Sequence, residues 1–523
     1  MNPQAAPLPP TYAEPPAPTA GAGGSLLDAG LAATPARGAD RPAEATGRLD
    51  QFLAESDPAE ALRLWFATIP GRGSNDAKRR LVRAINQDVG RLDELIAGQL
   101  NAILHHPEFQ KLEAGWRGLW FLCDAVPDGA GVKVRVLNAS WKDIVKDQER
   151  ALEFDQSHLF RKVYNEEFGT PGGEPYGLLI GNYDVCHRPF PDHPTDDMAA
   201  LRGVASVAAA AFAPFVTGMD PRFLELDSFT ELEPPVDLGR TFAQLDYLKW
   251  RQFRDTEDAR FVGLALPRVL YRRPYGDDPD RARGFAFQED TAAGDRSGYL
   301  WGSPVFALAA VAARAFAETA WLADIRGARP GEETGGRVVG LPAVGYGTGA
   351  AETPRSVTDA HLTDVREKEL ADLGFIPLCH TPGAAEAAFY TTPSVQKPKG
   401  FADPVATANA RLSAMLQYIL CASRFAHYLK VMMRDRVGSF TTPEVVEESL
   451  NRWLTGYVAS NDNASPEIKA RFPLREGRAR VSEVPGKPGS YQCTVFLRPH
   501  FQLDQVSAGI RLTTQLATHA QQT

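Results

Sequence analysis

Cysteine is scarce. The 523 residues hold five, at Cys123, Cys186, Cys379, Cys421 and Cys493, far apart along the chain. No two form a Cys-x-x-Cys pair, so neither a zinc ribbon nor a redox dithiol is supported, and reduced thiols in a cytoplasm are the simplest reading. A chain of this length buries enough core to need no disulfides. No apolar run of about 20 residues is free of charge, which argues against a spanning helix. The start, Met1-Asn2-Pro3, lacks a basic region leading into an apolar run, so no secretory signal is read. Basic residues do not dominate either: 56 Lys and Arg against 65 Asp and Glu leave a net charge of −9 and a pI near 5.7, unlike a general nucleic-acid binder.

Catalytic motifs are missing as well. A phosphate loop needs Gly-x-x-x-x-Gly-Lys-Ser/Thr, and Gly486-Lys487 runs into Pro488 instead. Gly345-Tyr346-Gly347-Thr348-Gly349 lacks dinucleotide spacing and reads as a loop. His105 and His106 are adjacent and point about 100° apart on a helix, so they cannot face one metal together. Cys421 and His427 lie six apart on different helix faces, which disfavours a nucleophile pair. No Gly-x-Ser-x-Gly elbow occurs. The carboxylate pairs Asp196-Asp197, Asp277-Asp278 and Glu447-Glu448 read as solvated. No catalytic, cofactor or metal site is assigned.

What the chain does contain is uneven. Residues 1–46 hold nine Pro and thirteen Ala and one aromatic, Tyr12, and read as a flexible tail. One island, Ser25-Leu26-Leu27-Asp28-Ala29-Gly30-Leu31, reads from composition alone either as an apolar blip in a linker or as a short helix capped by Ser25, with Leu27 and Leu31 on one side and weakened by Gly30. Ordered chain is expected from near Leu49, with two short helices around Asp57-Pro58. Residues 76–106 read as one long helix on which Leu81, Ile85, Val89, Leu92, Ile96, Leu100 and Ile103 recur every three or four positions. So narrow a stripe suits a helix-on-helix seam, and packing within the chain explains it equally well.

Helix and strand signals then alternate. Strands are expected at 132–136, 178–180, 261–266, 375–378 and 387–390, and helices at 141–152, 197–215 and, from a Ser303-Pro304 start, to about 325. Asp403-Pro404 opens what reads as one unbroken helix to Val437, on the order of 50 Å long. Thr442-Pro443 opens the next, to about 458, and two strand-like runs, 491–497 and 510–516, close the chain. The mixture predicts α/β layers.

Six stretches carry more information than their composition. They are Phe109-Gln110-Lys111-Leu112-Glu113-Ala114-Gly115-Trp116-Arg117-Gly118-Leu119; Gly172-Gly173-Glu174-Pro175-Tyr176-Gly177-Leu178-Leu179-Ile180-Gly181; Leu266-Pro267-Arg268-Val269-Leu270 running into Pro274-Tyr275-Gly276; Tyr299-Leu300-Trp301-Gly302; Arg424-Phe425-Ala426-His427-Tyr428-Leu429-Lys430; and Leu497-Arg498-Pro499-His500-Phe501-Gln502. Together and in this order, from about Asp76 to Leu516, they resemble the large subunit of the type VI secretion contractile sheath, the TssC/VipB family.

The resemblance implies an α/β, layered sheath-subunit fold with a phage-tail-sheath-like core, N-terminal helices and a flexible tail. It divides the chain into the tail (1–46), a helical region pairing with the small sheath subunit (47–120), an α/β sheath domain (121–400) and a C-terminal sheath domain (401–523). It implies a mechanical part, not an enzyme. The partners it implies are the small subunit (TssB/VipA), the inner tube protein (Hcp), other sheath protomers, the baseplate and an AAA+ disassembly ATPase (ClpV), all cytoplasmic, with no nucleic acid and no membrane insertion. The stripe from Leu81 to Ile103 becomes a candidate small-subunit contact. Tyr491, Thr494, Phe496, Ile510 and Leu512 become candidates for strand exchange between protomers. Leu26, Leu27 and Leu31 match the apolar positions of the helix that the ATPase captures, although Gly30 departs from the usual helix former. The alternatives are a phage-tail-like injection-machine sheath and an α/β enzyme with an unrecognised site.

Overall fold

The structure is a computed structural model that describes residues 43–66, 77–276, 285, 287–291, 296, 298–329, 332–346, 353–434, 442–461, 464–483 and 491–500. The Ser25–Leu31 island and the run containing Ile510 and Leu512 lie outside the described residues. The chain divides into two compact units, one comprising residues up to Phe109 with Tyr275–Asp290, the other the remainder.

In the first unit, α1 (Ala43–Ala54) and α2 (Pro58–Phe66) flank Asp57, and α3 spans Ala77–Leu104. Helix α1 starts six residues before Leu49, because Ala43, Glu44 and Ala45 are all good helix formers. The Trp65 indole donates to Asp88 on α3 at 3.1 Å. Asn101 and His105, near the end of α3, hold the Tyr275–Asp290 segment: the Asp290 N–H donates to Asn101, and Glu289 lies 3.1 Å from the His105 ring.

The second unit is built on a parallel sheet of β1 (Leu179–Val185), β2 (Phe215–Met219), β3 (Val262–Leu266) and β4 (Phe375–Pro377), in that spatial order. Strands β2 and β3 are buried along their whole length, as in a parallel sheet covered on both faces. Alternate residues feed opposite cores. Phe215, Leu264 and Phe375 join the core beneath α5 (Trp141–Arg150) and α6 (Asp197–Ala211), while Val216, Ala265 and Ile376 join the one beneath α7 (Val305–Thr319). In the first core Trp250 stacks on Phe375 at 5.6 Å.

Four expectations are corrected. Helix α6 stops at Ala211, where Phe212 takes φ 50°, and the apolar residues that follow form β2. Residues 132–136 form no strand and, among the described residues, pair with none. Ser303 does not cap α7; Pro304 holds that position. The long helix breaks into α8 (Pro404–Ser413) and α9 (Leu416–Arg434). There the chain at 392–394 competes for the backbone: Ser394 donates to the Ala414 carbonyl through both its N–H and its hydroxyl, and the Leu416 N–H donates to Thr392.

The C-terminal part closes a third core. Helices α9 and α10 (Pro443–Thr455) and the hairpin β5 (Leu474–Glu483) and β6 (Tyr491–Pro499) surround Trp321, which stacks on Phe425 at 4.1 Å. Strand β5 carries no apolar run, so its sequence gave no strand signal.

Gly118 explains one of the informative motifs. It lies on α4 (Pro107–Asp124), and a Cβ there would come within 2.4 Å of the Phe306 ring of α7. Gly118→Ala is therefore expected to destabilise the chain by about 1–3 kcal/mol, the usual cost of overpacking. An unchanged urea midpoint would contradict that packing.

Candidate assembly surfaces

Apolar residues belong inside unless something else covers them. On α3, Val82, Ile85, Val89, Leu92 and Ile96 repeat at three- and four-residue intervals and are all exposed, Leu92 at 58%. Leu95, at 71%, widens the stripe. Leu100 and Ile103 are half-buried, and the side chain of Leu81 is outside the described set. The sequence-read stripe thus faces solvent over its middle and is partly covered at its C-terminal end.

A second exposed face was not singled out from sequence. On helix Pro107–Asp124, Ala114, Gly118 and Leu122 turn into the core, while Leu112, Trp116 and Trp120 occupy the opposite side. Trp116 and Trp120 are 65% and 66% exposed. The four-residue spacing of two tryptophans was the available signal.

The C-terminal hairpin has two unlike edges. On β5, the Asn451 amide of α10 accepts from the Ala479 N–H at 2.8 Å and donates to its carbonyl at 2.9 Å, and Glu447 accepts from the Val481 N–H. Side chains thereby close that edge. They also fix the phase of the ladder. Ala479 and Val481 turn their backbone groups away from β6, so their register partners Val495 and Cys493 turn theirs away from β5. The outer edge of β6 therefore offers the N–H and C=O groups of Cys493, Val495 and Leu497, and among the described residues no strand pairs with it. The side chains of Thr494 and Phe496 lie on the exposed face of the hairpin. No sequence pattern announced the cap supplied by Asn451 and Glu447.

Titratable groups gather where the parallel strands end. Arg268 reaches Asp184 at 3.3 Å, and Arg222 binds Asp220 and Asp192. Asp359, buried, accepts from the Arg268 N–H, and its burial lifts its carboxyl to about 7. Asp197 corrects the solvated reading of its pair: it is buried at the start of α6, where Asp196 is the cap. Glu447 likewise is occupied at β5, whereas Glu448 pairs with Arg452 in solvent. Burial raises the thiols of Cys186, Cys379 and Cys421, the last to about 12, which moves each away from the nucleophilic thiolate. His427 is buried against the Ala211 carbonyl, and desolvation lowers it to about 4. Cys421 and His427 are thus separate core groups. All five cysteines are free, and no described helix is long and apolar enough to cross a membrane.

Comparison with known proteins agrees with the resemblance. Residues 86–396 match the VipB family model, described as EvpB/VC_A0108, tail sheath N-terminal domain. Residues 405–516 match the tail sheath gpW/gp25-like domain of the same group. The chain is 39% identical over 448 residues to the type VI secretion system sheath protein TssC1 of Pseudomonas aeruginosa, covering 85% of this chain and 87% of that one. A cryo-EM structure of the anti-feeding prophage baseplate gives a TM-score of 0.34 at 9% identity, over 72% of this chain and 82% of that one, too slight a likeness to bear on the fold. Two adjoining tail sheath domains and a relative of this identity along most of its length make this chain a member of the TssC/VipB family of type VI secretion sheath proteins.

Proposed function

We propose that this chain is the large structural subunit of a contractile sheath, which pairs with a small subunit around an inner tube and contracts to propel it from the cell. The observation that carries the reading is the 39% identity to a type VI sheath protein over 85% of the chain. The role is mechanical rather than catalytic, and the site of action is the cytoplasm. The exposed α3 stripe is the contact for helices of the small subunit, and the open edge of β6 receives a strand from a neighbouring protomer, with 510–516 as the segment each protomer donates in turn. Leu112, Trp116 and Trp120 add apolar area for contacts within the same assembly.

Co-expression with the small subunit encoded in the same genome tests the pairing. The two chains are expected to elute together in equal amounts from size exclusion. Separate elution would refute it.

The Ser25–Leu31 island is the segment read by the disassembly ATPase. A peptide of residues 22–34 is expected to bind that ATPase's N-domain, and Leu27→Asp to weaken it roughly tenfold or more, the worth of one buried leucine. Fluorescence anisotropy checks this, and no binding by the native peptide would refute it.

A further inference from the structure

Among the carboxylates at the ends of the parallel strands, Asp197 has a histidine where most of its neighbours have an arginine or a lysine. Asp184 has Arg268, Asp192 and Asp220 share Arg222, and Asp196 has Lys249. Asp197 is only 1% exposed, and among the described residues its ion-pair partner is His193, with Nε2 2.6 Å from Oδ2, rather than a Lys or Arg. A buried carboxylate needs a positive partner, and a histidine is one only when protonated.

Its surroundings supply metal ligands instead. Cys186 follows the last residue of β1, His193 sits in the loop beyond it, and Asp197 opens α6, so three separate pieces of chain converge. One ligand atom from each lies within 4.8 Å of the others. The carboxylate is already aimed. Its Oδ1 accepts from the Trp141 indole at 2.7 Å and from the Thr195 hydroxyl at 2.6 Å, and its Oδ2 accepts from the Cys186 N–H at 2.8 Å. Its Oδ2 also accepts from the His193 Nε2–H, 2.6 Å away. Donors that orient a metal-binding carboxylate in this way are the usual outer support of such a site.

We propose that Cys186, His193 and Asp197 form a zinc site. One sulfur, one imidazole nitrogen and one carboxylate oxygen are a donor set suited to tetrahedral zinc. Bond lengths of about 2.0–2.3 Å require the ligand atoms to stand roughly 3.3–3.8 Å apart, so the Cys186 and His193 side chains adjust by about 1 Å on binding. The ion takes the place of the hydrogen bond between His193 and Oδ2: the Nε2 proton is lost to solvent, with Nδ1 keeping the one proton of the neutral ring, and the Cys186 thiol proton also leaves to solvent. The fourth position opens on the His193 side, where that ring is partly exposed. The ion supplies positive charge at Asp197 that does not depend on protonation of His193, and it ties the end of β1 to the start of α6.

The full-length chain, purified without a histidine tag and freed of metal by chelator dialysis, is titrated with zinc and then with cobalt. The expected result is about one zinc per chain by mass spectrometry, a raised melting temperature, and a thiolate-to-cobalt charge-transfer band. Cys186→Ser and His193→Gln are each expected to cut zinc content at least tenfold, while Cys421→Ser, a buried cysteine elsewhere, changes nothing. If Cys186→Ser does not fold, the cobalt spectrum of the unaltered chain decides: no thiolate band overturns the proposal. Zinc content below about a tenth per chain, or equal binding by the variants, also overturns it and leaves Asp197 with a protonated His193 as its partner.

Discussion

Replacing Val89 and Leu92 by glutamate is expected to abolish co-purification of the small subunit while leaving this chain folded. Both side chains are already exposed, so the isolated chain loses little core, and glutamate is a better helix former than valine. In a helix seam the same residues would be buried. Each substitution then forfeits about 1.5–3 kcal/mol of apolar burial and adds the cost of desolvating a carboxylate without a partner. Together that exceeds about 4 kcal/mol, or roughly a thousandfold in affinity. Affinity capture on the small subunit reads the effect, and circular dichroism confirms that the helix content is kept. Undiminished capture would show that the stripe is not the interface.

The second large effect concerns the hairpin edge. Val495→Pro removes an N–H that points away from β5, so the hairpin should survive, since proline is tolerated on an open edge. An incoming strand, however, would lose a donor and meet the proline ring. Sheaths are expected to fall to short fragments or vanish while heterodimers persist. Thr494→Pro is the contrast: that N–H belongs to the ladder with β5, so the hairpin itself should fail and lower the melting temperature. Deleting 510–523 is expected to mimic Val495→Pro by removing the donated strand. Sheaths of normal length from Val495→Pro or from the deletion would sink the strand-exchange account.

The contrast between these two surfaces also shows what local pattern carries and what it does not. The α3 stripe was legible because helical periodicity depends on residues three and four apart. Its exposure was not, since Leu92 reads the same whether the covering helix belongs to this chain or another. The parallel strands were legible where apolar runs were short and bounded, as at Leu179 and Val262. Strand β2 was lost because Phe215 continues an Ala-rich helix without a breaker, and the stop at Phe212 depends on backbone conformation. The break between α8 and α9 is imposed by residues 392–394, about 20 positions upstream, and nothing in the helix itself marks it. The cap of Asn451 on Ala479 and the meeting of Cys186, His193 and Asp197 are likewise products of folding. Family membership was legible because six motifs in order hold more information than any one packing rule. Gly118 against Phe306 gives one of them a physical reason.

The central claim is that this chain builds a two-component contractile sheath. Negative-stain electron microscopy of the chain expressed with and without its small subunit tests it most directly. The account predicts long, cogwheel-shaped tubes only when both are present. Tubes from this chain alone, or dispersed particles under both conditions, would contradict it.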